Sequence, residues 1–234
     1  MVFIIAGKGF SYLFQLTLTY KFGAAIAGIF TLWFTCINIL SFISRWGLDV
    51  LSVQLIPKYK YSPAKQWFTI KSVVSIAIKT SVISSVIWLI VHSWIAENVF
   101  HNSSLVTPFF YCVFILFSFN ILYLSGGILR GFKQFYSFAF IQHFFLHFIA
   151  FIILFFGESI LNLETFSHFG IFSFAGGISI SALAGVFLVY KCYPKGILPK
   201  KTNDKILRAG TPFAFSNLSY FLINWMDALL IGFF

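Results

Sequence analysis

The chain has 234 residues, of which 59% are hydrophobic and 9% charged, and its formal net charge is +10. A mean hydropathy of +0.92 places it outside the soluble globular class, in which about a quarter of residues are charged. The basic residues sit in short gaps between apolar blocks, with no basic domain large enough to track phosphates, so a nucleic-acid footprint is excluded.

Apolar blocks follow one another at 3–20, 24–43, 73–94, 108–129, 138–156, 169–190 and 212–234. Each approaches or exceeds the ~20 residues that a helix needs to cross the hydrocarbon core. The predicted fold class is therefore all-α, a polytopic membrane helix bundle of seven spans. Met1 runs directly into the first block without a basic leader, so that block is expected to stay as a span.

Polar residues enter the first two spans at helical spacing: Lys8, Ser11, Gln15 and Thr19 on the first, then Thr31, Thr35, Asn38 and Arg45 on the second. A polar stripe on a membrane helix must face protein or water, because each unsatisfied group in lipid costs several kcal/mol. After the second span, Gly47 suits a helix end and Asp49 a cap for the next helix. Val50, Leu51, Val53, Leu55 and Ile56 are expected to lie in the membrane interface until Pro57.

On the third span Lys79 shares an arc with Ser72 and Ser75, too far from the span's start for easy snorkelling. The outer loop beyond it holds Asn102-Ser103-Ser104, a glycosylation acceptor pattern. On the fourth, Gly127 and Gly131 are placed for close helix packing, as are Gly177, Ser181 and Gly185 on the sixth. His143 and His147 on the fifth have metal-ligand spacing, but no carboxylate or Cys accompanies them, so they are expected to face the bundle or the interface. On the seventh, Pro212 is placed to bend the helix, and Asn217, Tyr220, Asn224 and Asp227 form a third stripe. Asp227 lies roughly 22 Å along the helix from Pro212, too deep to reach back to the interface. The 34 Phe are expected to cover lipid-facing surfaces, and Cys36, Cys112 and Cys192 to act as small apolar fillers.

Lys and Arg occupy every second gap: Arg45, Lys58, Lys60, Lys65 and Lys71 after the second span, Arg130 and Lys133 after the fourth, and Lys191 to Arg208 after the sixth. The other gaps hold Lys21 together with Glu97, Glu158 and Glu164. Since basic loops are retained in the cytoplasm, the N-terminus and the basic gaps are predicted to be cytoplasmic. The sequence carries no phosphate-binding glycine loop, no Gly-flanked serine nucleophile and no paired catalytic carboxylates. It is thus read as no enzyme, with no cofactor and no metal.

Several short runs, in this order, resemble the polysaccharide and O-antigen flippases of the multidrug, oligosaccharidyl-lipid and polysaccharide exporter superfamily. They are Gly9 to Leu16, Phe22-Gly23-Ala24-Ala25, Gly28-Ile29-Phe30, Gly47-Leu48-Asp49 with Ile56-Pro57-Lys58-Tyr59, Leu129-Arg130-Gly131-Phe132, and Leu207 to Pro212. The resemblance implies a MATE-like fold of two six-helix lobes around a cleft, in the bacterial cytoplasmic (inner) membrane. Residues 1–206 would form the first lobe, and 207–234 the opening helix of a second lobe that is otherwise absent. It further implies a polyprenyl-pyrophosphate-linked oligosaccharide as partner, with Na+ or H+ as a coupling ion. Cavity candidates are Lys8, Gln15, Asn38, Arg45, Lys79, Asn217, Tyr220, Asn224 and Asp227, with Lys8, Arg45 and Lys79 offering cations to the pyrophosphate. A cation-coupled multidrug exporter of the same superfamily, with Asp227 holding the ion, and a non-transporting membrane subunit or fragment are the competing readings.

Overall fold

The computed structural model describes residues 1–161, 168–192 and 206–233, and of these only the backbone at 158–161, 220–222, 224, 225, 227–229 and 231–233. Among the described residues there is no strand. The helices are α1 (Val2–Phe22), α2 (Ala24–Arg45), α3 (Leu48–Lys58), α4 (Pro63–Trp94), α5 (Val106–Gly131), α6 (Phe135–Ala139), α7 (Leu146–Leu161), α8 (Phe169–Cys192) and α9 (Ile206–Phe233). A π turn at Ile95–Val99 extends α4, and another at Phe140–Phe145 joins α6 to α7. Six of these stretches are long and apolar enough to cross a membrane, and they coincide with the first six predicted blocks. The 28-residue α9 covers the seventh and continues through Pro212.

Breaks between helices follow local chemistry. Gly23 has φ 86°, a value open to glycine at little cost, and there the chain reverses from α1 into α2. Trp46 and Gly47 are both left-handed, with φ 48° and 70°, which ends α2 and redirects the chain into α3. A Cβ on Gly47 would collide with the backbone of Gly210 and Ala214 in α9, so the glycine is needed for space as well as for φ.

α3 departs from expectation. Of the residues expected to face the interface, Leu51, Leu55 and Ile56 are instead buried, with Leu48, against α4, α5 and α9 in a second, smaller core with Ile70, Val73, Leu124 and Ile128, while Val50 and Val53 are half-buried. The glycines explain how. Gly127 lies on the backbone of Asp49, and a Cβ on Gly131 would fall 2.9 Å from the Ser52 carbonyl, so α3 packs directly on α5. α4 begins ten residues before its predicted start, because Pro63 suits a first turn, where its missing N–H costs nothing. Gln66 Nε2 then donates to the Ile56 carbonyl at 3.0 Å. Hydropathy marks only the part of this helix that crosses hydrocarbon.

Contacts between helix termini define the two ends of the bundle. The end of α5 meets the start of α3 at Gly127, Gly47 meets the start of α9, and Gly185 near the end of α8 meets Ser125. Gln142 of the π turn reaches the Leu122 carbonyl of α5, and Gly7 near the start of α1 lies on the backbone of His143. So Arg45, Lys58, Lys65, Arg130, Lys133, Lys191 and Arg208 gather at one end. At the other end Leu18 packs on Gly170, and Trp88 Nε1 donates to the Phe109 carbonyl at 2.7 Å.

The main core lies between α1, α2, α5, α7 and α8 and is strongly aromatic. Phe14, Phe30, Trp33 and Phe174 pack ring to ring with centroids 5.3 to 6.3 Å apart. Phe14, Phe30, Phe109, Phe119 and Phe174 are all buried. The high Phe content is therefore not only a lipid-facing coat, although Phe114, Phe156 and Phe187 are exposed as such a coat would be. Cys36 and Cys112 are free thiols inside this core.

Candidate functional site: a buried ion pair, a polar bolt and open cavities

The second-span stripe is satisfied within its own helix. Thr31 Oγ1 donates to the Ala27 carbonyl at 2.9 Å, Thr35 Oγ1 to Thr31 at 2.8 Å, and Asn38 Nδ2 to Phe34 at 2.7 Å. Asn38 is buried. Arg45, another cavity candidate, is also buried: its Nε donates to the Ser41 carbonyl at 3.2 Å and its Nη1 pairs with Asp49 Oδ2 at 3.2 Å. The guanidinium lies 4.3 Å from the centroid of the Tyr123 ring and 5.1 Å from that of Phe42. Planar charge over aromatic faces suits Arg where solvent is excluded. Its Nη2 is buried without a hydrogen-bond partner. Asp49 makes no capping hydrogen bond to the backbone of α3, contrary to the role expected for it, because its carboxylate is turned to Arg45 one helical turn earlier.

Beside this pair lies a polar cluster that the sequence reading does not single out. Asn120 of α5 accepts from Ser41 Oγ at 2.6 Å and donates from Nδ2 to Ser44 Oγ and Ser81 Oγ, each at 2.8 Å. Ser44 Oγ donates to Ser81 Oγ at 3.1 Å, and Ser81 closes the chain on the Ala77 carbonyl at 2.6 Å. Both amide protons of Asn120 are used. The cluster bolts α2, α4 and α5 together. One lone amide in the apolar run of the fourth span is its sequence signal; single serines elsewhere give none.

Open space lies elsewhere. Between α1 and α2, away from the basic end, Gln15, Thr19, Gly28 and Thr31 border a cavity of about 270 Å³ that is closed on its inner side by Leu18 and Phe30. The stripes of the first two spans meet here. Lys79 borders a groove of about 340 Å³ lined entirely by α4, together with Trp67, Lys71 and Ser75, so it is not brought to the α1–α2 cavity. Lys8 is exposed on α1 and borders neither. A third opening, of about 420 Å³, lies between α3 and α9 at the basic end.

His143 lies in the π turn with its ring edge-on to Phe138, and His147 is packed against Phe174. Among the described residues no three His, Cys, Asp or Glu side chains stand close enough to hold a metal ion. Asn102 Oδ1 accepts from the Ser104 amide at 3.0 Å, capping a short 3-10 turn in its loop. On α9, Asn217 is half-buried, Thr211 Oγ1 accepts from Trp46 Nε1 at 3.3 Å, and the side chains of Tyr220, Asn224 and Asp227 lie outside the described residues. No protein-family model, no curated protein and no solved structure matches the chain.

Proposed function

We propose that this chain is a transporter lobe of a flippase that moves a polyprenyl-pyrophosphate-linked oligosaccharide across a bacterial cytoplasmic membrane, with its basic end in the cytoplasm. The observation that carries this reading is the α1–α2 cavity, where Gln15, Thr19 and Thr31 present an amide and hydroxyls inside spans that are otherwise apolar. Neutral donors and acceptors of this kind suit sugar hydroxyls. Lys8, two turns from Gln15 toward the basic end, would supply a cation to a pyrophosphate held about 10 Å lower. The resemblance to polysaccharide flippases supports the same assignment, since it implies that the first, second and seventh spans line the cleft. Asn38 and Arg45 then act by holding α2 in place rather than by touching substrate. Asp227 on α9 would carry coupling to H+ or Na+ from the opposite wall.

The test is complementation of a flippase-deficient strain by the complete gene product. Gln15→Leu combined with Thr31→Val should abolish growth rescue while membrane abundance stays normal, and Lys8→Gln should weaken rescue more than Lys8→Arg. Full rescue by the Gln15→Leu/Thr31→Val variant overturns the cavity as the substrate path.

A further inference from the structure

At the basic end, Lys8 has two basic neighbours from other elements. Lys8 lies on the same stripe of α1 as Gln15 and Thr19, two turns nearer that end. There α1 leans on the π turn, with Gly7 on the backbone of His143 and the rings of Phe10 and Phe144 edge to face at 5.7 Å. The end of α2 is drawn the other way, with Arg45 over the Tyr123 ring of α5 and Gly47 against Gly210 of α9. Arg130 stands seven residues beyond Tyr123, on the same face of α5. Its guanidinium lies 4.6 Å from the centroid of Phe138, and the His143 ring meets the same phenyl group edge-on at 5.5 Å. His143 is within electrostatic reach of both Lys8 and Arg130. Three basic side chains from α1, α5 and the π turn are thus neighbours, Lys8 exposed and the other two half-buried. Arg130 Nε donates to the Gly126 carbonyl at 3.4 Å, which leaves both of its Nη groups for another acceptor. Asp49, the carboxylate that acts on Arg130, is already engaged by Arg45. Two permanent cations held near each other favour an anion between them.

We propose that Arg130 and His143, together with Lys8, bind the diphosphate of a prenyl-linked substrate at the basic end of the bundle. The identity of the ligand rests on the flippase reading, whereas the site rests on the three side chains. Arg130 presents its planar fork to two oxygens of one phosphate, and Lys8 neutralises the other as a point charge on a flexible stem. The His143 imidazole donates an N–H in either protonation state. Phe138 packs on both Arg130 and His143 and so fixes their spacing. A diphosphate held beside Lys8 lies about two turns from Gln15, which directs the first sugar toward the amide and hydroxyls of the α1–α2 cavity.

Purified protein in a neutral detergent would be titrated with geranylgeranyl diphosphate, geranylgeranyl monophosphate and inorganic diphosphate. The wild type should bind the prenyl diphosphate at least tenfold more tightly than either of the others. Lys8→Gln with Arg130→Gln should raise that Kd about tenfold or more, His143→Asn about threefold, and Arg130→Lys should restore only part of what Arg130→Gln loses. Lys60→Gln with Arg208→Gln removes the same formal charge from exposed positions at the same end and should leave the Kd within about twofold. Equal weakening by the two charge-removing pairs would show a diffuse surface attraction and overturn the site. Inorganic diphosphate binding as tightly as the prenyl diphosphate would overturn the lipid-linked assignment. Should the Lys8→Gln/Arg130→Gln pair fail to yield folded protein, Lys8→Gln alone decides, with an unchanged Kd counting against the proposal. Complementation separates the two readings. A gene product that rescues growth but whose prenyl diphosphate binding ignores these substitutions overturns the site alone, and binding that depends on Arg130 carries the site even where rescue fails and the flippase reading falls.

Discussion

Arg45 and Asp49 stand one helical turn apart in number but on two different helices, and their Nη1 and Oδ2 atoms meet at 3.2 Å across the left-handed turn at Trp46 and Gly47. The pair locks the angle between a spanning helix and the short helix packed beneath it. Its burial is nearly complete, so each partner depends on the other for its charge to be tolerated. Removing the carboxylate alone strands a guanidinium whose Nη2 already lacks a partner.

Asp49→Ala should therefore destabilise the bundle by about 3–5 kcal/mol, the range for breaking a buried pair from one side. Arg45→Met combined with Asp49→Leu should recover most of that loss, since neither charge is then left unpaired. Denaturation in mixed micelles, followed by circular dichroism, reads both. If the single and the double variant are equally destabilised, α3 is held by apolar packing and the ion pair adds little.

The spans are legible in the sequence because their signal is local: a helix in lipid must satisfy its backbone internally and present apolar side chains over ~20 residues. Close packing at Gly127, Gly131, Gly177 and Gly185 is legible for the same reason, since small residues four apart fall on one face. The role of Asp49 is not. An acid two residues past Gly47 fits a cap or an ion pair equally well at the level of sequence, and only the turn geometry turns its side chain back to Arg45. Nor is the Asn120 cluster, because Ser41, Ser44 and Ser81 become partners through the crossing of three helices. Lys79 and Gln15 each look like cavity residues in isolation, and sequence spacing within one helix cannot show that they border separate openings.

Asn120→Ala tests that crossing. It removes a side chain that accepts one hydrogen bond and donates two, leaving the Ser41 hydroxyl without its acceptor in an apolar interior, while Ser44 and Ser81 lose a donor but keep the bonds they donate. A loss of about 1–3 kcal/mol is expected from the stranded Ser41 hydroxyl and the two lost bonds to Ser44 and Ser81. Adding Ser41→Ala, Ser44→Ala and Ser81→Ala to Asn120→Leu should cost less than Asn120→Ala alone, because the polar groups of the cluster are then gone together. Strictly additive losses across the series would show that the cluster does not act as one network.

Glycine substitutions separate packing from composition. Gly127→Ala drives a methyl into the backbone of Asp49 and should cost about 1–3 kcal/mol by overpacking, with α3 displaced from α5. Gly9 and Gly28 have nothing within 4 Å of an added Cβ, so Gly9→Ala should be neutral or stabilising by up to about 1 kcal/mol. Thermal unfolding of the two alanine variants in the same detergent makes the comparison. Equal Tm values would show that α5 and α3 are not in the close register described.

Orientation is decided by labelling. With Cys36, Cys112 and Cys192 replaced, a cysteine at Ser104 lies in the exposed loop before α5, and one at Lys133 lies after it, at the end that gathers the basic residues. Retention of Lys and Arg in the cytoplasm predicts that an impermeant maleimide labels position 104 in intact cells and position 133 only after permeabilisation. Since the two positions flank a single crossing, labelling of both in intact cells would remove α5 from the set of spans. Labelling at 133 alone would invert the topology. It would also place Lys8 on the wrong side to meet a pyrophosphate made in the cytoplasm.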